Sequence, residues 1–246
     1  MVRKMAQEPI RIQKYMSDCG MLSRRAAEEE IRAGHIRING EIAEIGQKVL
    51  PGTDEVLWKG KAIRPIERKN SCICIMLNKP VGYVTTMSDE RGRKCVAELV
   101  QDVGVRVYPC GRLDMNSEGL LLMTNDGALA NRLTHPAHEI PKIYHVKIDT
   151  PVTPEELKAL GEPMEIEGYV IRPVKVTVVT RTEQSSTLRM ELYEGRNRQI
   201  RRMCEQVGLH ILSLKRVAIG TLTLGDLRPG KWKRLTAKQI QYLKGT

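Results

Sequence analysis

The apolar positions of this chain come in short runs, first at helical and then mostly at alternating spacing. RIQKYMSDCG (11–20) has the pattern of a short helix that stops at Gly20. Ser23 is placed as the N-cap of RRAAEEEIRAG, which stops at Gly34. HIRINGEIA (35–43) alternates around Asn39-Gly40, a dipeptide suited to a tight turn between antiparallel strands. DEVLWKGKAI (54–63) reads as a second hairpin. The polar, proline-bearing RPIERKN (64–70) predicts a linker between a small α/β module at 10–70 and a larger domain at 71–246.

Strands dominate after residue 71. SCICIMLN reads as a strand, KPVGYVTT as a loop followed by a strand, and VRVYP (105–109) and LLLMT (120–124) as strands. Asp126 caps a short helix, GALANRLT. KIYHVKI (142–148), PVKVTVVT (173–180) and STLRMELY (186–193) alternate as strands do. TPEELKAL (153–160) and NRQIRRMCEQVG (197–208) read as helices. Many strands, few helices and no β-α-β rhythm predict an α+β fold on a mixed or antiparallel sheet.

Composition narrows the partner. The net charge is +11, with 14 basic and 10 acidic residues in 1–70 (+4) and 26 and 19 in 71–246 (+7), so both parts favour a polyanion. No apolar run approaches the roughly 18 residues of a membrane span. The N-terminal MVRKMAQEPI lacks the apolar stretch of a secretion signal, and a cytoplasmic protein is expected. The chain has no Phe, so Ile, Leu, Val and Met must build its core. Six scattered cysteines form no C-x-x-C pair, and His135 and His138 lack a third ligand at metal spacing. There is no phosphate-binding glycine loop. Neither a metal nor a cofactor is expected.

Arg11, Lys14, Arg24, Arg25, Arg32 and Arg37 cluster on the predicted helix pair and the strand after it. Arg24, Glu28 and Arg32 share one helix face, and Ala27 and Ile31 another. By themselves they describe a solvated, ion-paired helix. In order, however, R-I-Q-K-Y, G-x-x-S-R-R-x-A-E-x-x-I and G-x-I-x-I-N-G resemble the αL-type RNA-binding domain of small-subunit ribosomal protein four, over residues 11–43. The resemblance implies docking on structured RNA through Arg11, Lys14, Ser23, Arg24 and Arg25. Arginines offer phosphate both charge and forked donors, contacts that position an RNA without reading its sequence.

The densest chemistry lies in YPCGRLDMNSEGLLLMTNDG (108–127). Asp114 there follows a Gly-Arg-Leu turn and precedes a polar loop into an apolar strand. A carboxylate beside an arginine is an acceptor and suits a nucleophile or base, yet an isolated Asp in such a loop more often caps a turn. In NRQIRRMCEQV, Ile200, Met203, Cys204 and Val207 form a buried stripe, and Arg198, Arg201, Arg202 and Glu205 a second one. Arginines at a helix N-terminus oppose its dipole and call for a nearby anion.

G-R-L-D-x-x-S-x-G-L-L-L-x-T (111–124) resembles the signature of pseudouridine synthases, and the chain is similar to the RsuA/RluB branch of that family. His135-Pro136 with Lys142-Ile143-Tyr144, and E-G-R-N-R-Q-I-R-R-M at 194–203, match its second and third motifs. Leu77-Asn78-Lys79-Pro80-x-Gly82 resembles its entry strand and Gly230-Lys231-Trp232-x-x-Leu235-Thr236 its closing segment. The likeness runs from about residue 10 to 240. It implies that Asp114 attacks a uridine at C1′ or triggers C2′ deprotonation, with Arg201 pairing with Asp114 and Tyr144 stacking on uracil. It implies that Arg112 fills the gap left by the flipped nucleotide while Leu113 and Ile200 pack the pocket. The expected substrate is ribosomal RNA, 23S before 16S, bare or in a pre-ribosomal particle, and the enzyme is expected to be a monomer. A non-catalytic ribosome-assembly factor on the same fold is the rival reading.

Overall fold

The computed structural model describes residues 8–64 and 72–245, so the linker reading falls almost wholly outside the described residues. The chain divides into two compact units, Met1–Cys72 and Ile73–Thr246.

In the first unit β1 (Ile10–Arg11) leads into α1 (Ile12–Asp18) and α2 (Arg24–Arg32). Then follow β2 (Ile36–Ile38), β3 (Glu41–Ile42), β4 (Lys48–Val49), β5 (Val56–Trp58) and β6 (Lys61–Ile63). The Ser23 side chain starts α2 by accepting the Ala26 N–H at 3.0 Å. Asn39 (φ 52°) and Gly40 (φ 90°) turn β2 into β3 in the left-handed region that a two-residue hairpin requires. Ile12, Met16, Ala27, Ile31 and Ile36 are buried together, closing the helix pair on a sheet of order β3-β2-β5-β6.

The second unit opens with β7 (Cys74–Lys79), a 3₁₀ segment (Val96–Val103), β8 (Tyr108–Pro109), β9 (Glu118–Thr124) and α3 (Gly127–Thr134). It continues through β10 (Lys142–Ile148), α4 (Pro154–Gly161), β11 (Glu165–Ile166) and β12 (Tyr169–Val170). Next come β13 (Lys175–Arg181), β14 (Ser186–Leu192) and α5 (Gln199–Gln206). The unit ends with β15 (Ile211–Ile219), β16 (Leu222–Thr223), β17 (Trp232–Arg234) and α6 (Ala237–Lys244). Among the described residues nine of these strands build one sheet with the path β13-β14-β10-β15-β9-β7-β17, to which β16 adds beside β15 and β8 beside β9, while β11 and β12 pair with each other as a separate hairpin.

All neighbours on that path are antiparallel except β15 and β9, which run parallel through only two residue pairs, Lys215 with Glu118 and Arg216 with Gly119. Two antiparallel halves therefore meet at a short parallel seam, each half with its own apolar cluster. One holds Val146, Leu188, Met190, Met203 and Cys204, and the other Ile75, Leu77, Val96, Leu121 and Met123. Tyr144 packs against both.

Gly119 makes the seam possible. Its φ is +105°, and a Cβ there would lie 2.2 Å from the Arg216 carbonyl oxygen. Gly119→Ala is expected to destabilise the protein by about 3 kcal/mol or more, because backbone strain and a backbone clash add. Chemical denaturation measures this, and a loss below about 1 kcal/mol would contradict the tight seam.

Two predicted strands are shorter or absent. After Pro80 the chain makes a turn and a single bridge, Val84 to Cys95, in place of a strand. Its polar groups serve another loop: Gly82 N–H donates to the Met115 carbonyl at 2.8 Å, and the Thr85 hydroxyl donates to the Leu113 carbonyl at 2.6 Å. In VRVYP only Tyr108 and Pro109 are strand, because Gly104 (φ 83°) turns the chain and leaves Val105 exposed. The 3₁₀ segment and the β11–β12 hairpin were not legible in the pattern.

Candidate active site

The Asp114 loop enters β9 at the seam and is fixed by its backbone. Lys79, fully buried at the end of β7, donates to three carbonyls, Ser117 at 2.8 Å, Asp114 at 3.0 Å and Pro80 at 3.1 Å. All three ammonium protons are thus used. The Ser117 N–H donates to the Asp114 carbonyl at 3.0 Å. Leu113 N–H donates to the Thr85 hydroxyl at 3.2 Å. These bonds fix the main chain from which the Asp114 carboxylate projects. Burial pushes the Lys79 ammonium down to about 8, against the opposing pull of the Asp114 and Glu118 carboxylates.

The helix α5 brings the arginines. Arg201 Nε and Arg198 Nη1 each lie 3.9 Å from Asp114 Oδ2. Arg201 does more than face the carboxylate: its Nη2 donates to the Asn116 carbonyl at 2.7 Å and to Ser117 Oγ at 3.3 Å. Its buried Nε makes no hydrogen bond, a loose geometry of the kind that tightens when substrate arrives. Burial lowers the Arg201 pKa, Arg198 adds to the fall, and Asp114 opposes it. The structure places Arg201 beside Asp114, and it adds Arg198 at an equal distance.

Arg198 caps α5 in the left-handed region (φ 51°), which costs a non-glycine residue about 1 kcal/mol. Buried Gln199 holds the loop before it, accepting from the Arg196 N–H and donating to Glu194, both at 3.2 Å. The third arginine of the helix, Arg202, pairs with Glu167. Carboxylates of Asp114 and Glu167 thus answer the cations gathered at this helix N-terminus.

Tyr144 stands on β10 where the register against β15 shifts, Ile143 pairing with Ala218 and Tyr144 with Arg216, so that Val217 is the extra residue of a bulge in β15. Together with Leu113, Ile200, Leu192 and Leu214 it walls a cavity of about 100 Å³ that contains Asp114. Leu113 and Ile200 are buried, and Arg112 is exposed at the rim. Across Tyr144 lies a second cavity of about 470 Å³, also lined by Arg112 and the 194–196 loop. Arg216, 5% exposed, donates from Nε to the Leu120 carbonyl at 2.7 Å and places Nη1 3.5 Å from the Tyr144 hydroxyl.

The site thus brings together Asp114, Arg201, Tyr144, Arg112, Leu113 and Ile200. Sequence reasoning gave no role to Arg198, Lys79 or Arg216. A signal existed for the last two. Lys79 and Asn78 end a strand that begins with four apolar residues, and Arg216 shares the inward face of β15 with Leu214 and Ala218.

The docking residues lie in the first unit. Arg11, Arg24 and Arg25 are exposed. Lys14 pairs with Asp18 at 2.5 Å, and the Ser23 oxygen is committed to its cap. Among the described residues no cluster of three His, Cys, Asp or Glu could hold a metal, and no helix is long and apolar enough to cross a membrane.

Known proteins are similar to this chain over most of its length. The family model described as RNA pseudouridylate synthase matches residues 73–206, and the S4 domain model matches residues 10–56. An uncharacterized RNA pseudouridine synthase of Aquifex aeolicus is 39% identical, with 95% of this chain and 93% of the relative covered. Ribosomal large subunit pseudouridine synthase B of Bacillus subtilis is 36% identical, with 95% of each chain covered. Dual-specificity RNA pseudouridine synthase RluF of Escherichia coli is 37% identical, over 94% of this chain and 77% of the relative. A pseudouridylate synthase crystal structure matches with a TM-score of 0.68 and 28% identity, over 95% of this chain and 99% of that one. The chain belongs to the RNA pseudouridine synthases, in the RsuA branch that includes RluB and RluF. An N-terminal S4 domain precedes its catalytic domain.

Proposed function

We propose that this enzyme isomerises a uridine of 23S ribosomal RNA, in the cytoplasm, with Asp114 as nucleophile. The carrying observation is the Asp114 carboxylate set between Arg198 and Arg201 on the wall of a cavity shared with Tyr144 and Ile200. The target nucleotide leaves the helical stack and enters this cavity, with Arg112 taking its place in the stack. Asp114 traps C1′ as the N1–C1′ bond breaks, or uracil leaves after C2′ deprotonation. The uracil turns against Tyr144 and its C5 bonds to C1′, which releases the Asp114 carboxylate or, on the second route, is joined by return of a proton to C2′; C5 then gives up its proton and N1 regains one. Leu113 and Ile200 keep water from the sugar, and the arginines steady the carboxylate. In this reading the acting unit is a monomer. The large-subunit assignment draws on the Bacillus relative, which matches this chain over almost its full length.

The reaction itself is testable. Ribosomal RNA labelled with tritium at uridine C5 should release tritium to water in the presence of the purified protein. Absence of release above an Asp114→Asn control would overturn the assignment.

The first unit supplies affinity in this account. Replacing both Arg24 and Arg25 by Ala is expected to weaken RNA binding and to reduce the slope of log affinity against log salt by roughly 1 to 2. Filter binding between about 50 and 200 mM salt reads the slope, and an unchanged slope would exclude the docking role.

A further inference from the structure

The cavity of about 470 Å³ beyond Tyr144 lies within the size range of small-molecule sites. Its apolar walls include Leu122, Leu133 and Ile219, and two cations reach into it, Lys142 and Arg216. Lys142 and Tyr144 are alternate residues of β10 and share one face of the sheet. Arg216 faces Tyr144 from β15. Neither cation has a carboxylate partner within ion-pair distance among the described residues. Arg216 Nη2 is buried with no hydrogen-bond partner.

The other charges around the cavity do not compensate them. Glu194, which lines it, stands outside ion-pair distance of both cations, and its Oε1 accepts the backbone N–H of Arg172 and the side-chain N–H of Gln199, each at 3.2 Å. At the rim Arg172 pairs with Glu139 and Arg196 stacks on Tyr169 at 3.4 Å. Arg112 adds further positive charge. Burial, followed by the charge of Arg216, lowers the Lys142 pKa. Paired cations in a partly dry cavity call for an anion, because charge buried without a partner is costly.

We propose that this cavity is a phosphate subsite, in which Lys142, backed by Arg216, holds a backbone phosphate attached to the uridine that sits at Asp114. The inference rests on the reading of the substrate as RNA. The subsite ties the reacting nucleotide to the protein at a second point across Tyr144, so base and backbone are fixed independently while the uracil turns.

Calorimetric titration of the full chain with uridine and with uridine 3′,5′-bisphosphate tests it. The bisphosphate is expected to bind at least about tenfold more tightly than uridine. Lys142→Gln should remove most of that advantage, and Lys147→Gln, an exposed charge on the same strand, should keep it. No advantage in the wild type, an advantage that survives Lys142→Gln, or equal loss in both variants would overturn the subsite. A second measurement is independent of any variant's folding: acetylation of wild-type lysines, read by mass spectrometry. Lys142 should be protected by the bisphosphate, and equal labelling with and without it would contradict the proposal. Both readouts are of binding, so a chain that forms no pseudouridine but shows the Lys142-dependent advantage keeps the subsite and loses the proposed reaction.

Discussion

Asp114→Asn is expected to lower pseudouridine formation by at least about 10³-fold while leaving RNA affinity within about threefold of wild type. Asparagine fills the same space and accepts hydrogen bonds, but it cannot trap an anomeric carbon. The loop around it is pinned through main-chain groups, by Lys79 at the Asp114 and Ser117 carbonyls and by Arg201 at the Asn116 carbonyl. These contacts survive the substitution, so the loss should fall on turnover and not on folding. Single-turnover assays with saturating enzyme, alongside filter binding, separate the two. Activity within about tenfold of wild type would remove Asp114 from the chemistry.

The second large effect is expected behind the Asp114 loop, at a residue that does not line the cavity. Lys79→Met should reduce turnover by about 10²-fold, because a loop displaced by an ångström misplaces the nucleophile. It should also cost roughly 3 kcal/mol, since three carbonyls lose their common donor in a site that excludes water. The pH dependence carries a distinct mark. In the folded protein the Lys79 pKa is about 8, against its ordinary 10.5. Below pH 8 both states hold the proton, and the folded state bears the full cost of burying the charge. Between 8 and 10.5 the unfolded chain holds more protons on this lysine, so its contribution makes stability rise with pH across that window. Denaturation of wild type and Lys79→Met at several pH values should show this component of the slope in the wild type alone. Parallel profiles would mean that Lys79 does not titrate in that way.

Much of the site was legible in sequence because its parts are local motifs. Asp114 stands in a run that carries its own loop and strand, and α5 shows its buried stripe of Ile200, Met203 and Cys204 without any fold. What escaped depends on distance. Lys79 reaches carbonyls 35 to 38 residues away, which no window on the chain reveals. Arg198 meets Asp114 because a left-handed cap turns it there, and nothing in N-R-Q announces that conformation for an arginine. The stretch 81–86 has the composition of a strand, yet Gly82 and Thr85 give their hydrogen bonds to the Asp114 loop. The small module was read well for the opposite reason, since its cap at Ser23 and its turn at Asn39-Gly40 are decided by neighbouring residues. The parallel seam could not be foreseen, although Gly119, which permits it, lies within the signature itself.

The most direct test of the account is pseudouridine mapping by carbodiimide primer extension on 23S and 16S rRNA from cells lacking the protein, restored with wild type or with Asp114→Asn. The account predicts a 23S stop that disappears with the protein, returns with wild type, and stays absent with Asp114→Asn. Stops in both rRNAs that are unchanged by the deletion, or a lost stop fully restored by Asp114→Asn, would contradict it.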